Sequence, residues 1–509
     1  MLRVFVVLAA MVFVLAGLSQ AQQSPSQPQA GGVLRHARNL DAKTLDPHFS
    51  VQWSERYVLY ALYNTLVGLD KDFNVVPELA ESWAVSDDGK AITFRLRRGV
   101  RFHDGTEFTA EVVKWNIDRI LSPETRSPLR SLIAPYMDAV VVVDPATVRF
   151  DLKAPFRPLL AALAERPGFM VSPAAVRRFG REFGRNPVGT GPFRFVEWIP
   201  DQRIVVQRFD GYWERGKPYL NRIEYLHVPE KQVQLTALRT GEADILDEIS
   251  PTLVPLVRNT PNIKVVEHPS SRFVGWQWDL DKPPFNNAKL RAALAHAVDR
   301  DEVRKVVFAN TGRTATHPEG GGWWYNPELD RLGYRYDPQR AKTLLAEAGY
   351  AGGFTHTMVV PDEQFWKELA QVLQAQLGRI GVRVNLELVN PADSYRMVVE
   401  DKINWTPTRW APRADPHGRL SILFHSKGFA NSTGYANPRV DELIDRAATL
   451  YDKRAAKTMY KEVERMVMAD APYVYLVWPS EFAAMHQRVQ NFVWIPDLIL
   501  RLRDLWLAR

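Results

Sequence analysis

The 509-residue chain contains no cysteine. This absence excludes disulfide bridges, thiolate metal sites and cysteine nucleophiles together. The chain also lacks a Gly-x-Ser-x-Gly nucleophile elbow and a His-Glu-x-x-His zinc motif. An exported hydrolase that relies on scattered Asp and Glu residues remains an alternative, which turnover of a substrate by the purified protein would support. No cofactor is predicted.

A phosphate-binding loop is absent as well. The run Gly189-Thr190-Gly191-Pro192 is rich in glycine, but no Lys-Ser or Lys-Thr pair follows it to open a helix. We expect these glycines to adopt positive φ at a tight crossing of the chain.

The excess of positive charge is modest. Lys and Arg number 65 against 58 Asp and Glu, which gives a net charge of +7. A basic balance can reflect binding to nucleic acid or anionic lipid. However, the densest basic run, 95–101, fits an amphipathic strand whose polar face is solvated, so no nucleic-acid partner is predicted.

Long apolar runs are missing except at the N-terminus. Val4–Leu18 follows Arg3 and precedes Ser19-Gln20-Ala21, which has small residues where signal peptidase cuts. The run is short for a membrane span, so it predicts a cleavable signal peptide over 1–21, with an N-terminal anchor helix as the alternative. Residues 22–30 then form a flexible lead-in. Since no cysteine can carry a lipid, the mature chain is predicted to be a free periplasmic protein.

The first third of the mature chain has a mixed α+β pattern. Residues 92–96 alternate apolar and polar side chains, as in a half-buried strand. Thr109 can cap a helix that runs to Leu121, and 140–152 has the pattern of a hairpin. Antiparallel strands are therefore expected here.

The second half has a different pattern. Asp337 caps a helix, and the succession of a strand at 355–360, a helix at 362–380 and a strand at 382–388 predicts a βαβ unit with parallel strands. Lys453–Asp470 is predicted to be a long helix before an apolar strand at 473–478. The whole chain is thus an α/β protein with room for more than one core.

Eight motifs follow one another in order along the chain. They are Thr44-Leu45-Asp46-Pro47-His48-Phe49, Tyr63-Asn64-Thr65-Leu66-Val67-Gly68-Leu69, Val76-Pro77-Glu78-Leu79-Ala80-Glu81-Ser82-Trp83, Phe102-His103-Asp104-Gly105-Thr106, Asn186-Pro187-Val188-Gly189-Thr190-Gly191-Pro192-Phe193, Leu238-Arg239-Thr240-Gly241-Glu242-Ala243-Asp244, Ala297-Val298-Asp299-Arg300 and Gly434-Tyr435-Ala436-Asn437-Pro438. With these motifs the chain resembles, over about residues 31–500, the family 5 extracytoplasmic solute-binding proteins. This group comprises the dipeptide-, oligopeptide- and nickel-binding receptors of ABC transporters.

The resemblance implies a type II periplasmic-binding-protein fold, with two lobes joined by a hinge and an additional inserted α+β domain. By analogy, 31–46, 186–268 and 479–509 form the first lobe, 47–185 the inserted domain and 269–478 the second lobe. The hinge would be two crossings, near 269–274 and 477–483. Such a receptor closes on a small molecule and delivers it to the permease subunits in the inner membrane. It would be a monomer and not an enzyme.

One segment of the second lobe supplies most of the predicted ligand contacts. In relatives this stretch carries a Trp that faces the ligand, so Trp410 is predicted to stack on it, and Arg409 or Arg413 to pair with a carboxylate. Asp415 belongs to the same segment. In peptide-binding relatives, an Asp three positions before the Asp-Pro pair of this segment holds the ligand's amino group. Pro412 occupies that position here. A free amino group would then lack its usual partner, so Pro412 weighs against ordinary free peptides, and the two arginines favour an acidic ligand such as a modified peptide or an opine-like conjugate. The ligand is predicted to be peptide-like or carboxylate-bearing. The alternative for these residues is that the two charges pair locally and that the Trp is a core residue.

Two further segments complete the predicted site. The loop residues Trp323, Trp324 and Tyr325 are three adjacent rings, at least one of which we expect to line a cleft, the alternative being a small core beneath the loop. Phe49 and Ser50 lie where relatives contact ligand from the other side of the cleft.

A nickel-type metal-chelate receptor is the alternative within the same family. His417 and His425 flank a short apolar segment, but they do not have the spacing of a helical ligand pair, so no metal site is predicted. A periplasmic chaperone is a third alternative, against which saturable one-to-one binding with lobe closure would argue.

Overall fold

The computed structural model describes residues 27–39, 41–400 and 402–509. The predicted signal peptide (1–21) and most of the predicted lead-in (22–30) lie outside this range. Within it, no helix combines the length and the apolar character needed to cross a membrane.

Strands and helices are interspersed along the chain. The strands are β1 (Val33–Arg38), β2 (Val67–Leu69), β3 (Val75–Pro77), β4 (Ala80–Val85), β5 (Ala91–Leu96), β6 (Met137–Asp144), β7 (Thr147–Leu152), β8 (Phe193–Ile199), β9 (Arg203–Arg208), β10 (Arg222–His227), β11 (Ile245–Leu246), β12 (Ile263–Pro269), β13 (Phe273–Trp278), β14 (Arg313–Thr314), β15 (Phe354–Pro361), β16 (Val382–Val389), β17 (Trp405–Trp410), β18 (Tyr473–Trp478), β19 (Ser480–His486), β20 (Val489–Gln490) and β21 (Trp506–Leu507). The helices are α1 (Glu55–Leu62), α2 (Ala110–Leu121), α3 (Arg130–Ile133), α4 (Leu159–Ala162), α5 (Pro173–Phe179), α6 (Lys231–Thr240), α7 (Val254–Arg258), α8 (Ala288–His296), α9 (Arg300–Val307), α10 (Pro338–Glu347), α11 (Gln364–Gly378), α12 (Pro391–Val399), α13 (His417–Phe424), α14 (Pro438–Thr449) and α15 (Lys453–Asp470).

The first lobe is the part built on a seven-stranded sheet, in the order β12-β19-β11-β1-β10-β9-β8. β1 runs parallel to both of its neighbours, and the other pairs are antiparallel. Side chains of β1 point alternately to the two faces of the sheet. Leu34 packs into a core on one face and Ala37 into a core on the other. Both faces of this sheet are therefore covered.

The second lobe is the part built on the antiparallel sheet β14-β18-β13-β17. Trp276 and Trp278 of β13 are buried in one core, whereas Phe273 of the same strand enters the core on the opposite face. Beside this sheet, β15 and β16 pair in parallel and α11 connects them, which confirms the predicted βαβ unit. The order strand, helix, strand predicted the parallel pairing, because two neighbouring strands that are joined through a helix run in the same direction.

The additional domain is the part built on the antiparallel sheet β4-β5-β7-β6. The predicted hairpin is β6 and β7, and α2 begins directly after Thr109 as expected. Ile92, Phe94 and Leu96 of β5 all point into the domain's core, in agreement with the period of two.

Two short connections join the sheets of the two lobes. β12 of the first sheet leads through 270–272 into β13 of the second, and β18 leads through Pro479 into β19. β12 and β19 are hydrogen-bonded neighbours in the first sheet, and β13 and β18 are hydrogen-bonded neighbours in the second. The exact boundaries of lobes and domain stay a prediction, because sheet membership alone defines only which strands belong together.

The expectation of positive φ at Gly189 and Gly191 is wrong, because neither lies in the left-handed region. Their small size serves close packing instead. A Cβ atom on Gly189 would come within 2.2 Å of the Leu62 carbonyl oxygen, and one on Gly191 within 2.4 Å of the Leu62 carbonyl carbon. The Gly191 amide donates to that same Leu62 oxygen at 3.0 Å, so the two segments meet backbone to backbone.

Candidate functional site

A cavity of about 560 Å³ lies between the two lobes beside the connections that join them. We call it the hinge cavity. The first lobe contributes residues 248–253 and the start of α6, and the second lobe contributes the N-terminal end of α11 and the outer end of β17. The connections themselves contribute Arg272 and Pro479–Glu481. Its volume is within the range of pockets that hold small-molecule ligands.

Arg409 is the cation that the second lobe presents to this cavity. Its side chain is exposed there, with the guanidinium carbon 5.6 Å from the centre of the Trp366 ring. Among the described residues it forms no ion pair within 4 Å. Loss of hydration inside the cavity and the nearby Arg272 lower the pKa of Arg409, yet a guanidinium remains charged at physiological pH. Arg409 is therefore a cation that has no carboxylate within ion-pair distance, although Glu248, Glu363 and Glu481 act on it from farther away in the same cavity.

Acidic groups lie in the same cavity. Arg272 pairs with Glu481 at 2.9 Å and, more weakly, with Glu248 at 4.0 Å. Glu363 precedes α11, its side chain is exposed, and it has no ion pair within the described parts of the chain. The cavity thus offers an unpaired cation and an unpaired anion on the second lobe, which suits a ligand that carries both charges.

The first-lobe wall is held by a buried ion pair. Asp247 accepts from Arg38 Nη1 at 2.8 Å and contacts His36 Nε2 at 2.9 Å. The next residue, Glu248, has a φ of +52°, which is uncommon outside glycine. Such a conformation persists only where the surroundings enforce it, so the Asp247 network fixes the wall that carries Glu248.

Sequence reasoning found one of the charged groups of the hinge cavity, Arg409, and missed the rest. Arg272 and Glu481 lie within the two predicted hinge crossings, so the presence of opposite charges in both crossings was a usable signal. Glu248 and Glu363 have no local pattern that distinguishes them from surface residues.

Arg413 and Asp415 line a second cavity of about 220 Å³, between the additional domain and the second lobe. We call it the outer cavity. The two side chains do not pair with each other as the alternative interpretation had it. Asp415 is buried and accepts two hydrogen bonds from Arg157, whereas Arg413 approaches Glu165 at 3.7 Å.

The three adjacent rings have three different environments. Trp324 is fully buried, donates to Glu319 Oε2 at 2.9 Å and stacks against Phe73 of the additional domain. Trp323 is half-buried beneath the guanidinium of Arg157, at 4.8 Å. Tyr325 donates to Asp330 Oδ2 at 2.6 Å and lies outside both cavities. Two of these rings thus pack at the contact between additional domain and second lobe.

The remaining predicted residues lie away from the hinge cavity. Trp410 is half-buried against a core of the second lobe. Phe49 is 37% exposed, with the Arg119 guanidinium carbon 5.4 Å from its ring centre. Ser50 is buried and donates to Glu55 Oε2 at 2.5 Å. Their role as ligand contacts stays a prediction.

A buried polar network connects the hinge to the segment that carries Arg409. Arg419 is 1% exposed and donates to the carbonyl oxygens of Ser271 at 3.1 Å, Ala411 at 2.9 Å and Pro318. It also faces Glu319 at 3.3 Å. Burial raises the pKa of Glu319 to about 7 despite this guanidinium. One side chain therefore joins three backbone segments around the site.

His317 belongs to the same region and allows a test by pH. Burial alone would lower its pKa, but Glu464 at 2.6 Å and Asp330 at 3.0 Å raise the pKa to about 9. A histidine with a raised folded-state pKa contributes stability that is complete below about pH 6.5 and is lost as the pH rises through 9.

We therefore expect the wild type to lose stability between pH 6.5 and 9 more steeply than a His317→Gln variant does. The difference in slope should approach about 1.4 kcal/mol per pH unit. Urea unfolding of both proteins at several pH values measures this difference. Equal dependence of the unfolding free energy on pH in the two proteins would show that His317 is not held in its charged form by Glu464 and Asp330.

His417 and His425 do not form a metal centre together with acidic neighbours. Within the described ranges, no group of three or more His, Cys, Asp or Glu side chains is arranged to hold a metal ion. His417 is buried in the outer cavity, and His425 lies 3.5 Å from Asp445.

Comparison with known proteins identifies the family. The sequence model described as bacterial extracellular solute-binding proteins, family 5 middle, matches residues 74–431. The chain is 31% identical over 472 residues to the glutathione-binding protein GsiB of Pectobacterium atrosepticum, which covers 91% of both chains.

Solved structures agree on the fold. The periplasmic binding protein DppA of Helicobacter pylori, in complex with the peptide STSA, is 26% identical with a TM-score of 0.84, over 94% of this chain and 99% of that one. The binding protein AgaA of A. tumefaciens R10, in complex with agropinic acid, is 26% identical with a TM-score of 0.81 over the same shares. The predicted two-lobe type II periplasmic-binding fold is thereby confirmed.

Proposed function

The chain belongs to family 5 of the bacterial extracellular solute-binding proteins, and on that premise we propose that it is the periplasmic receptor of an ABC importer. It captures a peptide-like, carboxylate-bearing small molecule by lobe closure and delivers it to the permease subunits. It acts as a monomer, after removal of a signal peptide, and performs no chemistry on its ligand.

The observation that supports this proposal is that Arg409 and Glu363 both line the hinge cavity and that neither forms an ion pair within 4 Å among the described residues. Arg409 can donate two hydrogen bonds to a ligand carboxylate, and Glu363 can accept from a ligand ammonium group. A ligand that also contacts the first-lobe wall at Glu248 touches both lobes. It then binds the closed arrangement better than the open one and shifts the population towards it.

Pro412 does not weigh against an amino-bearing ligand once the cavity is considered. The aspartate expected at this position in peptide-binding relatives is missing, but Glu363 and Glu248 supply carboxylates within the same cavity. An amino group left without a partner would cost roughly 1.5–3 kcal/mol, so one of these carboxylates is its natural partner. The name of the relative GsiB points to glutathione, an acidic tripeptide, as a first candidate ligand.

Calorimetric titration with glutathione, dialanine and nickel-histidine tests the proposal. We expect saturable one-to-one binding of glutathione, with weaker binding of dialanine, which carries a single carboxylate. X-ray scattering should show a smaller radius of gyration when the bound ligand closes the lobes. Tight binding of dialanine with none of glutathione would overturn the acidic preference, and binding of nickel-histidine alone would favour the metal-chelate receptor.

A further inference from the structure

Glu319 is a buried carboxyl group to which the proposed transport function gives no role. Its side chain is 1% exposed, so bulk water does not reach it. Its Oε2 accepts from Trp324 Nε1 at 2.9 Å, and its Oε1 has no hydrogen-bond partner among the described residues. An ionised carboxylate offers about four acceptor positions, so a single hydrogen bond leaves its charge poorly stabilised.

Arg419 is the cation that faces Glu319, but it directs its hydrogen bonds elsewhere. Its Nη1 lies 3.3 Å from Glu319 Oε2. The two terminal nitrogens donate four hydrogen bonds to carbonyl oxygens, two of them to Ser271 at 3.1 Å, one to Ala411 at 2.9 Å and one to Pro318. These four bonds use all four N–H groups of the terminal nitrogens. The guanidinium therefore attracts Glu319 electrostatically without a hydrogen bond to it.

The other ionisable neighbours of Glu319 come from α15, β18 and its own loop. Glu464 of α15 acts on it as a like charge, and Tyr475 of β18 lies within electrostatic reach. His317 of the loop is a cation, but its two ring nitrogens contact the carboxylates of Glu464 and Asp330. Burial outweighs the attraction of the nearby cations and raises the pKa of Glu319 to about 7.

Arg419 connects this carboxyl group to two segments that shape the ligand site. Ser271 lies in the connection 270–272 between the two lobes. Ala411 directly follows β17, which carries Arg409 into the hinge cavity. A movement of the Arg419 guanidinium therefore reaches the hinge and the ligand-binding cation together.

Ionisation of Glu319 changes which acceptor is the best one for Arg419. A hydrogen bond between two charged groups is shorter and roughly twice as strong as one to a neutral acceptor. From 3.3 Å, a small rotation brings an N–H of Nη1 to the carboxylate, at the cost of a bond to Ser271 or Pro318. Because the guanidinium is a rigid plane, the same rotation also moves Nη2 relative to Ala411.

We propose that Glu319 is a titratable positioning residue of the ligand site. While its carboxyl group is neutral, Arg419 holds the carbonyl groups of Ser271 and Ala411. When the carboxylate is ionised, Arg419 turns towards it, and the segment that carries Arg409 is held less firmly. Ligand binding therefore weakens as the pH rises through the neutral range. This last step rests on the proposed function, because it concerns the affinity of the hinge cavity.

Hydrogen exchange of the ligand-free mature chain tests the positioning step. Glu319→Gln has the shape of the neutral carboxyl group and cannot ionise. We expect peptides that cover 270–274 and 409–413 to exchange several-fold faster in the wild type than in this variant at pH 8, and equally fast at pH 5.5. Comparison of two proteins at one pH removes the intrinsic pH dependence of exchange. Glu111→Gln, at an exposed position of α2, should exchange as the wild type does at both pH values.

Calorimetric titration with glutathione at the same two pH values tests the effect on affinity. The dissociation constant of the wild type should rise at least about 5-fold from pH 5.5 to pH 8, which is the lower end of the usual coupling between two sites. Glu319→Gln should keep the wild-type affinity of pH 5.5 at both values. Glu111→Gln should follow the wild type, and the comparison between variants cancels any titration of glutathione itself.

Two outcomes would overturn the role of Glu319. One is equal exchange of the two segments in wild type and Glu319→Gln at pH 8, and the other is the same pH dependence of glutathione affinity in both proteins. If glutathione binds to none of the proteins, the proposed ligand fails. The exchange comparison needs no ligand and still decides whether Glu319 controls the two segments.

Discussion

Replacing Asp247 by Asn should destabilise the protein by roughly 3–5 kcal/mol, which is the cost of leaving one partner of a buried ion pair without its counter-charge. His36, Arg38 and Asp247 are each at most 5% exposed, so water cannot replace the lost carboxylate. The Arg38 guanidinium carbon lies 3.2 Å from the centre of the Tyr57 ring, which leaves the cation no freedom to turn towards solvent. Unfolding by urea, followed by tryptophan fluorescence, measures the loss.

The effect should depend on pH in a defined direction. Burial alone would raise the pKa of Asp247, but Arg38 and His36 hold it far below its ordinary range. A depressed acid contributes stability that is complete above about pH 4 and declines as the pH falls further. The gap between wild type and variant should therefore be full at pH 7 and narrow in strong acid.

Asp118→Asn is the matched control for this prediction. Asp118 pairs with Lys114 at 2.7 Å on the surface of α2, where both side chains are nearly half exposed. Exposed pairs of this kind contribute little, so the unfolding midpoint should not move. Equal effects of the two substitutions would show that the buried network does not hold the first lobe.

Local patterns predicted the elements of the fold well because each element follows from neighbouring residues. Lys453–Asp470 and Tyr473–Trp478 are a helix and a strand over the predicted residues. Asp337 was expected to cap a helix, and its side chain accepts from the Arg340 amide at 2.9 Å. The glycines 189 and 191 were misread because a close approach to Leu62 is a tertiary contact with no signature in the local sequence.

The candidate site was harder to predict because its parts come from distant positions. Asp415 and Arg157 are 258 residues apart, so the sequence around Asp415 could not reveal its partner. We expected at least one of the three adjacent rings to line a cleft, and this stays a prediction. Trp324 itself is buried and donates to Glu319, a contact that the local sequence does not indicate. Arg409 was identifiable because the family resemblance placed its segment at the cleft, whereas the acidic residues opposite it had no such guide.

Arg409→Glu should abolish ligand binding if the hinge cavity is the receptor site. The change removes the guanidinium that pairs with a ligand carboxylate and puts a like charge in its place. Losing one side of a buried charge pair weakens binding by about 100-fold or more. Because Arg409 has no ion pair among the described residues and its side chain is exposed, the variant should fold as the wild type does. Glutathione titration and the ligand-induced rise in melting temperature both measure the effect.

Arg98→Glu separates a local contact from long-range attraction. Arg98 is exposed and lies outside both cavities, so this variant makes the same change in net charge as Arg409→Glu without touching the ligand. It should keep wild-type affinity apart from a small, salt-dependent change in association rate. Arg409→Lys should retain part of the affinity, because an ammonium group keeps the charge but cannot bind a carboxylate bidentately. If Arg98→Glu weakened binding as much as Arg409→Glu does, the affinity would arise from the electrostatic field of the whole protein. The hinge cavity would then not be the ligand-binding site.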